Sequence, residues 1–464
     1  MGNANPKLHT VRRGLTLPIN GAPADGKEIL TPPTPTSLAI VAADYPGLKP
    51  SLKVKVGDAV KRGQPLLEDR RNPGVPIVSP GAGVVAAIHR GERRALQSVV
   101  IALDAADTAE DNELSYAAWR EGGLAEMNAG ALRELLVQSG LWTALRTRPF
   151  GRIPDPASQP HAVFVTAMDT QPLAPAVADV LAGQASQLRL GLEALVKMLG
   201  DVPVHFCRAD GAPVDAVEDV AGIQVHAFSG PHPAGNVGLH MHRIAPVSRT
   251  HVAWHIGCQD VAAIGHLVAT GKLCLERVIS LAGPAVTHPA LYRVRMGCDV
   301  DGLVTDALKP GAAALISGSV LSGRRAQGEI LGYLGRYHNQ VTALSDEAPR
   351  RFLGWLSPGW NAFSVTNLFV SKLRLGHRFS LNTDRNGGHR TLVPFGSYDK
   401  VNAFDLMPVF LLRALIAQDL ESAEALGCLE LDEEDLALFT FVCPSKNEYG
   451  PALREVLNTI EREG

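Results

Sequence analysis

The amino-acid sequence predicts an α+β chain of several domains, and three observations predict it. The chain has 464 residues, about three domains' worth at ~150 residues each. Short period-two patterns broken by glycine dominate up to Ile88, and strand and helix patterns then alternate from His161 to Phe228. After Met407 the patterning is helical.

Composition narrows the class. Lys+Arg total 44 against Asp+Glu 47, for a net charge of -3, without the basic excess of a nucleic-acid partner. Hydrophobic residues make up 46% and charged residues 20%, an ordinary globular mix. The most apolar helical stretch, Met407 to Ala417, is too short to span a bilayer and carries Arg413. The N-terminal residues lack an apolar secretory core, and none of the six cysteines forms a Cys-x-x-Cys pair. A reduced, cytoplasmic setting is expected.

In residues 1–115 the run from Lys53 to Leu67 predicts a strand in which Val54 and Val56 alternate with lysines, followed by turns at Gly57-Asp58 and Arg62-Gly63. With Val75 to Ile88 it resembles the barrel-sandwich fold of biotinyl and lipoyl carrier domains. A carrier needs a lysine at the apex between the two halves. Here the apex is Glu68 to Gly74 and holds none, so the domain is expected to be structural.

Residues 116–272 predict a Rossmann-like α/β domain. His161 to Met168 is an apolar run suited to a buried parallel strand, Leu188 to Leu199 is an apolar helix, and strands follow at Val202–Phe206 and Gly222–Phe228. A dinucleotide fold places glycines after its first strand so that backbone amides reach the phosphates. This chain reads Asp169-Thr-Gln-Pro-Leu-Ala-Pro instead, so Asp169 is expected to cap a helix.

Six of the 15 histidines lie between 226 and 255. His240-x-His242 reads as a strand pair, and no partner set of zinc-ligand spacing accompanies it. Gly230-Pro-His-Pro-Ala-Gly235 reads as a rigid loop after a strand, where ligands often bind. His232, His240 and His242 are therefore the candidate ligand-binding residues, since imidazoles can hydrogen-bond carbonyl oxygens. No catalytic or metal-binding residue is assigned.

Residues 273–345 predict a β-grasp-like, soluble-ligand-binding domain with strands at Arg277–Gly283 and Leu291–Gly297. In residues 346–464, helices are predicted at Met407–Ala417, Glu421–Leu426, Glu433–Phe439 and Pro451–Ile460. Counting back from Cys443-Pro444 at ferredoxin spacing gives Phe439, Leu436 and Glu433. One thiolate of four cannot hold an iron–sulfur cluster.

Six stretches carry a family resemblance: Asp169–Leu173, Gly230–Gly235, Trp254–Asp260, Ile316–Gly323, Gly335–Gln340 and Leu429–Leu438. On these the chain resembles the A subunits of the sodium-translocating NADH:quinone oxidoreductase of bacterial respiratory chains, nearly end to end. The resemblance implies a non-redox subunit at the cytoplasmic face of the bacterial inner membrane. It implies the B to F subunits of that complex as partners, the membrane-embedded B most directly, and a part in reducing ubiquinone. NADH, flavins and iron–sulfur centres would belong to the complex, with no cofactor on this chain. The alternative from the residues alone is a free-standing carrier-type or metal-dependent enzyme using the His226–His255 cluster.

Overall fold

The computed structural model describes residues 6–24, 26, 28–212, 217, 219–347 and 354–463. The barrel sandwich is present. A sheet ordered Ser37–Val41, Leu96–Leu103, Gly83–Arg90, Ala59–Val60 faces a sheet ordered Pro50–Leu52, Pro65–Asp69, Pro76–Val78. Leu66, Leu67, Ile77, Val85, Val99 and Ile101 fill the space between them. The expected strand through Val56 ends earlier, at Leu52. Gly57 takes φ +95° and turns the chain, so Val54 is buried while Val56 is exposed. The apex is tied down rather than free: Asn72 donates to the Pro154 carbonyl at 2.8 Å, and Arg71 pairs with Glu461.

The second unit is a Rossmann-type sheet. Its order is Lys7–Thr10, Ile223–Ser229, Val204–Ala209, Ala162–Ala167, Ala253–Gly257, Arg146–Arg148, with all neighbours parallel except the last pair. The period-two pattern sends Val163 and Val165 to one face and Phe164 to the other. On the first face, helix Ala185–Leu199 packs on helix Cys258–Thr270. Two glycines set that crossing: a Cβ on Gly191 would overlap the Val261 carbonyl oxygen, and one on Gly265 would overlap that of Gln187. On the opposite face, helix Val237–Ile244 packs with the C-terminal helices.

The β-grasp sheet runs Arg324–Arg325, Ala313–Ser317, Gln340–Ser345, Glu276–Ala282, Ala290–Arg295, Ile29–Leu30. The N-terminal segment thus contributes strands to two sheets beyond the barrel. The C-terminal helices are Ser397–Val401, Pro408–Ala417, Leu420–Ala425, Ala437–Val442 and Tyr449–Glu463. The last helix starts two residues before Pro451, whose missing N–H costs nothing within a first turn. Between residues 354 and 396 the chain has short 3-10 turns and isolated bridges at Phe379 and Asn382. Among the described residues no helix is long and apolar enough to cross a membrane.

Candidate functional site

In an open parallel sheet the chain leaves a crevice where successive connections depart to opposite sides, at the carboxyl ends of the strands. Here that point lies between Ala162–Ala167 and Ala253–Gly257, the neighbouring strands around which the order reverses. A cavity of about 190 Å³ occupies it. Each of the six stretches that carry the family resemblance gives the wall at least one residue: Asp169, Gly235, His255, Ser319, His338 and Glu434 are examples.

Local folding explains what each stretch does there. In Trp254–Asp260, Trp254 enters the core, His255 turns to the cavity and Gly257 opens helix Cys258–Thr270. Gln259 closes two hydrogen bonds on Val278 of the β-grasp sheet, at 3.0 and 2.9 Å, and reaches Asn339. Asp260 receives two bonds from Arg277, at 2.8 and 2.9 Å, and one from Arg336 at 2.9 Å. Burial pushes the Asp260 carboxyl up, but the two guanidiniums outweigh it and the net shift is downward. His338 bonds Ser317 at 2.8 Å, and Gln340 donates to the Pro172 carbonyl at 3.0 Å. The β-grasp unit therefore forms one wall of the Rossmann crevice.

Asp169 accepts the Gln171 N–H at 2.8 Å, and burial pushes its carboxyl up to about 6. It does not cap a regular helix, because the chain turns through Leu173 with φ +68° before the next helical residues. On the far side Arg148, fully buried, bonds Asp435 at 2.8 Å and Glu434 at 3.0 Å. Burial and the neighbouring Asp435 charge raise Glu434.

The three candidate histidines do not meet as expected. His240 and His242 lie on helix Val237–Ile244, not on a strand. Residues two apart on a helix point to nearly opposite sides. His240 is buried, packs its ring 4.2 Å from that of Phe228 at a tilt and donates to the Ala234 carbonyl at 2.9 Å. His242 bonds Glu430 at 2.7 Å and accepts the Asp405 N–H at 3.1 Å. His232 is buried against Thr170 at 3.2 Å, and Thr170 in turn accepts the Gly235 N–H at 2.8 Å. Burial pushes His232 and His240 down to about 4. None of the three lines the cavity; the loop reaches it through Gly235 and Asn236. A Cβ on Gly235 would sit 2.6 Å from the Thr170 nitrogen, so that corner requires glycine.

Elsewhere in the histidine-rich segment His226 lies 3.2 Å from both His9 and His205. Among the described residues no group of three or more His, Cys, Asp or Glu is placed to hold a metal ion. At the degenerate cluster motif, Leu436 and Phe439 pack in the core while the Cys443 thiol takes hydrogen bonds from Tyr398 at 3.1 Å and Tyr449 at 3.3 Å. Burial works to raise this thiol, but the two phenol donors hold it below its ordinary value.

A barrel-sandwich unit, a Rossmann-type unit, a β-grasp unit and a helical tail, with a cavity at their junction, define a multidomain α+β protein whose site belongs to no single unit. Family models match in the same order: the NqrA N-terminal barrel-sandwich hybrid domain over residues 9–104, the NqrA second alpha/beta domain over 127–273, and the NQRA C-terminal domain over 278–328. The A subunit of the Na(+)-translocating NADH-quinone reductase of Pseudomonas aeruginosa is 49% identical over 454 residues, covering 98% of this chain and 99% of that protein. Proteins of the same description from Neisseria meningitidis and Yersinia pseudotuberculosis are 47% and 45% identical over the same shares. Among solved structures, an NAD+-reducing [NiFe]-hydrogenase in the air-oxidized state aligns with TM-score 0.41 and 14% identity, over 82% of this chain and 67% of that one. The chain belongs to the family of Na(+)-translocating NADH-quinone reductase A subunits.

Proposed function

We propose that this chain is a peripheral subunit, without a redox group of its own, of the complex that oxidises NADH, reduces ubiquinone and moves sodium across the bacterial inner membrane. It docks at the cytoplasmic face on the membrane-embedded B and works with the B to F subunits together. The observation that carries this reading is the apolar surface of the C-terminal region. Leu368, Leu373 and Leu375 are 78%, 72% and 96% exposed, and Leu356, Trp360 and Phe395 stand out beside them in sequence. Monomeric soluble proteins rarely leave large apolar side chains concentrated in this way unless a partner covers them. The residue chemistry points the same way: the first Rossmann turn lacks a glycine cradle, and the cluster frame keeps one cysteine of four.

The same region supports a part in the quinone step. A groove of about 1160 Å³ runs beside the apolar surface, lined by Phe363, Leu368, Phe369, Phe395 and Phe441 together with Asn361, Ser397 and Asn447. An apolar lining with a few polar groups suits a ring that carries carbonyls and an isoprenoid tail. The test is to tag the chain in its host and extract membranes in mild detergent. Recovery with flavin-containing membrane subunits and sodium-dependent NADH:quinone activity is expected. Recovery of the chain alone, with full activity left in the membranes, would overturn the reading.

A further inference from the structure

We propose that the cavity at the Rossmann crevice is a binding site for a small oxyanion, a phosphate or carboxylate group, distinct from the apolar groove and independent of the quinone reading. Two helix N-termini converge on it. Helix Cys258–Thr270 opens there at Gly257, and helix Val237–Ile244 opens there at Asn236. Neither N-cap residue makes a side-chain capping bond; the Asp435 carboxylate lies against Gly238 at one start and Asp260 sits in the first turn of the other, and the first-turn N–H groups they do not take face the cavity. Such an end is an anion site when a ligand can reach it.

Two side chains on the wall point to the same ligand independently of the helices. His255 is 4% exposed and, among the described residues, neither ring nitrogen has a hydrogen-bond partner, with Nε2 shut away from solvent. Buried polar groups without a partner are rare, and each calls for a missing one. Arg146 stacks its guanidinium 4.4 Å over the Tyr337 ring and forms no salt bridge or side-chain hydrogen bond among the described residues. It is a cation held in place with its donors unused. The facing carboxylates are otherwise engaged: Asp260 by Arg277 and Arg336, and Glu434 by Arg148. Asp169 has no basic partner among the described residues. Its raised proton affinity lets it take a proton from solvent as an anion enters, and its hydroxyl then donates.

The volume, about 190 Å³, admits phosphate or a short dicarboxylate and excludes a whole dinucleotide. The wall residue Ser322 also lines the outer cleft between the barrel and the last helix, which offers a route in.

The test is calorimetric titration of the full chain with inorganic phosphate and, separately, with succinate. Saturable binding of one anion per chain is expected for at least one of them, and the pair distinguishes a tetrahedral from a planar group. Arg146→Ala and His255→Gln should each weaken it by about tenfold or more, the usual worth of a charge-assisted or buried hydrogen bond. Arg12→Ala, at an exposed position away from the cavity, should leave it unchanged. Folding of each variant is read from its thermal melt, and loss of affinity in either folded variant is sufficient. No saturable heat with either anion up to about 10 mM, or binding indifferent to both substitutions, would overturn the proposal.

Discussion

The guanidinium of Arg148 donates to the Asp435 carboxylate at 2.8 Å, and neither side chain reaches solvent. Arg148 ends the antiparallel edge strand of the Rossmann sheet, while Asp435 closes a capping box with Asp432 at the start of a C-terminal turn. Burial works against the charge on Arg148, but Asp432, Asp435 and Glu434 together outweigh it and hold it protonated. Removing the cation would leave carboxylates buried without it, which costs about 3–5 kcal/mol in comparable cases. Arg148→Leu should therefore lower unfolding stability by that amount, read from denaturant midpoints. A loss under about 1 kcal/mol would show that the pair does not fasten the two units.

The helix crossing at Gly191 and Gly265 sets two effects against each other. Alanine is a better helix former than glycine by about 1 kcal/mol. A Cβ at Gly265, however, overlaps the Gln187 carbonyl, and forcing apart packed backbone typically costs about 1–3 kcal/mol. The overlap is with backbone, which cannot swing aside, so Gly265→Ala should destabilise the chain. Gly130→Ala, where the nearest atom is Asn128 Oδ1 at 3.4 Å, should be neutral or slightly stabilising. Equal thermal midpoints for the two variants would contradict this account of the crossing.

Stability should fall as pH drops from 7 to 5. His205, His226, His232, His240 and His338 are pushed by burial to about 4, against 6.5 in the unfolded chain. Below pH 6.5 the unfolded state binds more protons, so ∂ΔG/∂pH is positive until about pH 4. Each fully buried imidazole contributes on the order of 1–2 kcal/mol across that window. Asp169, Glu433 and Glu434 act with the opposite sign, because their folded values are raised and protonation relieves a cost. His255 is pushed down as well, and six imidazoles against three carboxyls leave the histidines in control. Denaturation midpoints at pH 7 and 5 check this, and equal or greater stability at pH 5 would contradict it.

The fold is largely legible in the sequence because its signals are local. The apolar run over Ala162–Ala167, the glycine that ends helix Cys258–Thr270, and the proline near the start of the last helix each act within a few residues. The helix carrying His240 and His242 reads wrongly as a strand on its His-x-His spacing. Val237, Met241 and Ile244, at i, i+4 and i+7, hold the better signal. The cavity is not legible in the same way. Asp169, His255, Tyr337 and Glu434 are up to 265 residues apart in number (434 − 169) and meet only through strand order and the docking of the β-grasp sheet. The six stretches can be noticed one by one, but nothing in their spacing announces that they share a wall. Arg146 leaves no motif, since its role depends on forming no direct ion pair among the described residues although Glu434 lies on the same wall.

Docking through the C-terminal apolar surface is the claim on which the functional reading rests. Leu373 and Leu375 are exposed and belong to none of the hydrophobic cores, so changing them to glutamate should leave the isolated chain's thermal midpoint within about 1 °C of the parent, as surface substitutions do. An acidic pair inside an apolar interface would leave two charges desolvated without partners. The decisive measurement is co-purification of tagged Leu373→Glu/Leu375→Glu chain from native membranes, scored against the parent for associated flavin-containing subunits. The account predicts a folded variant that no longer brings them down and membranes with lost NADH:quinone activity. A folded double variant that recovers the partners in full would contradict it.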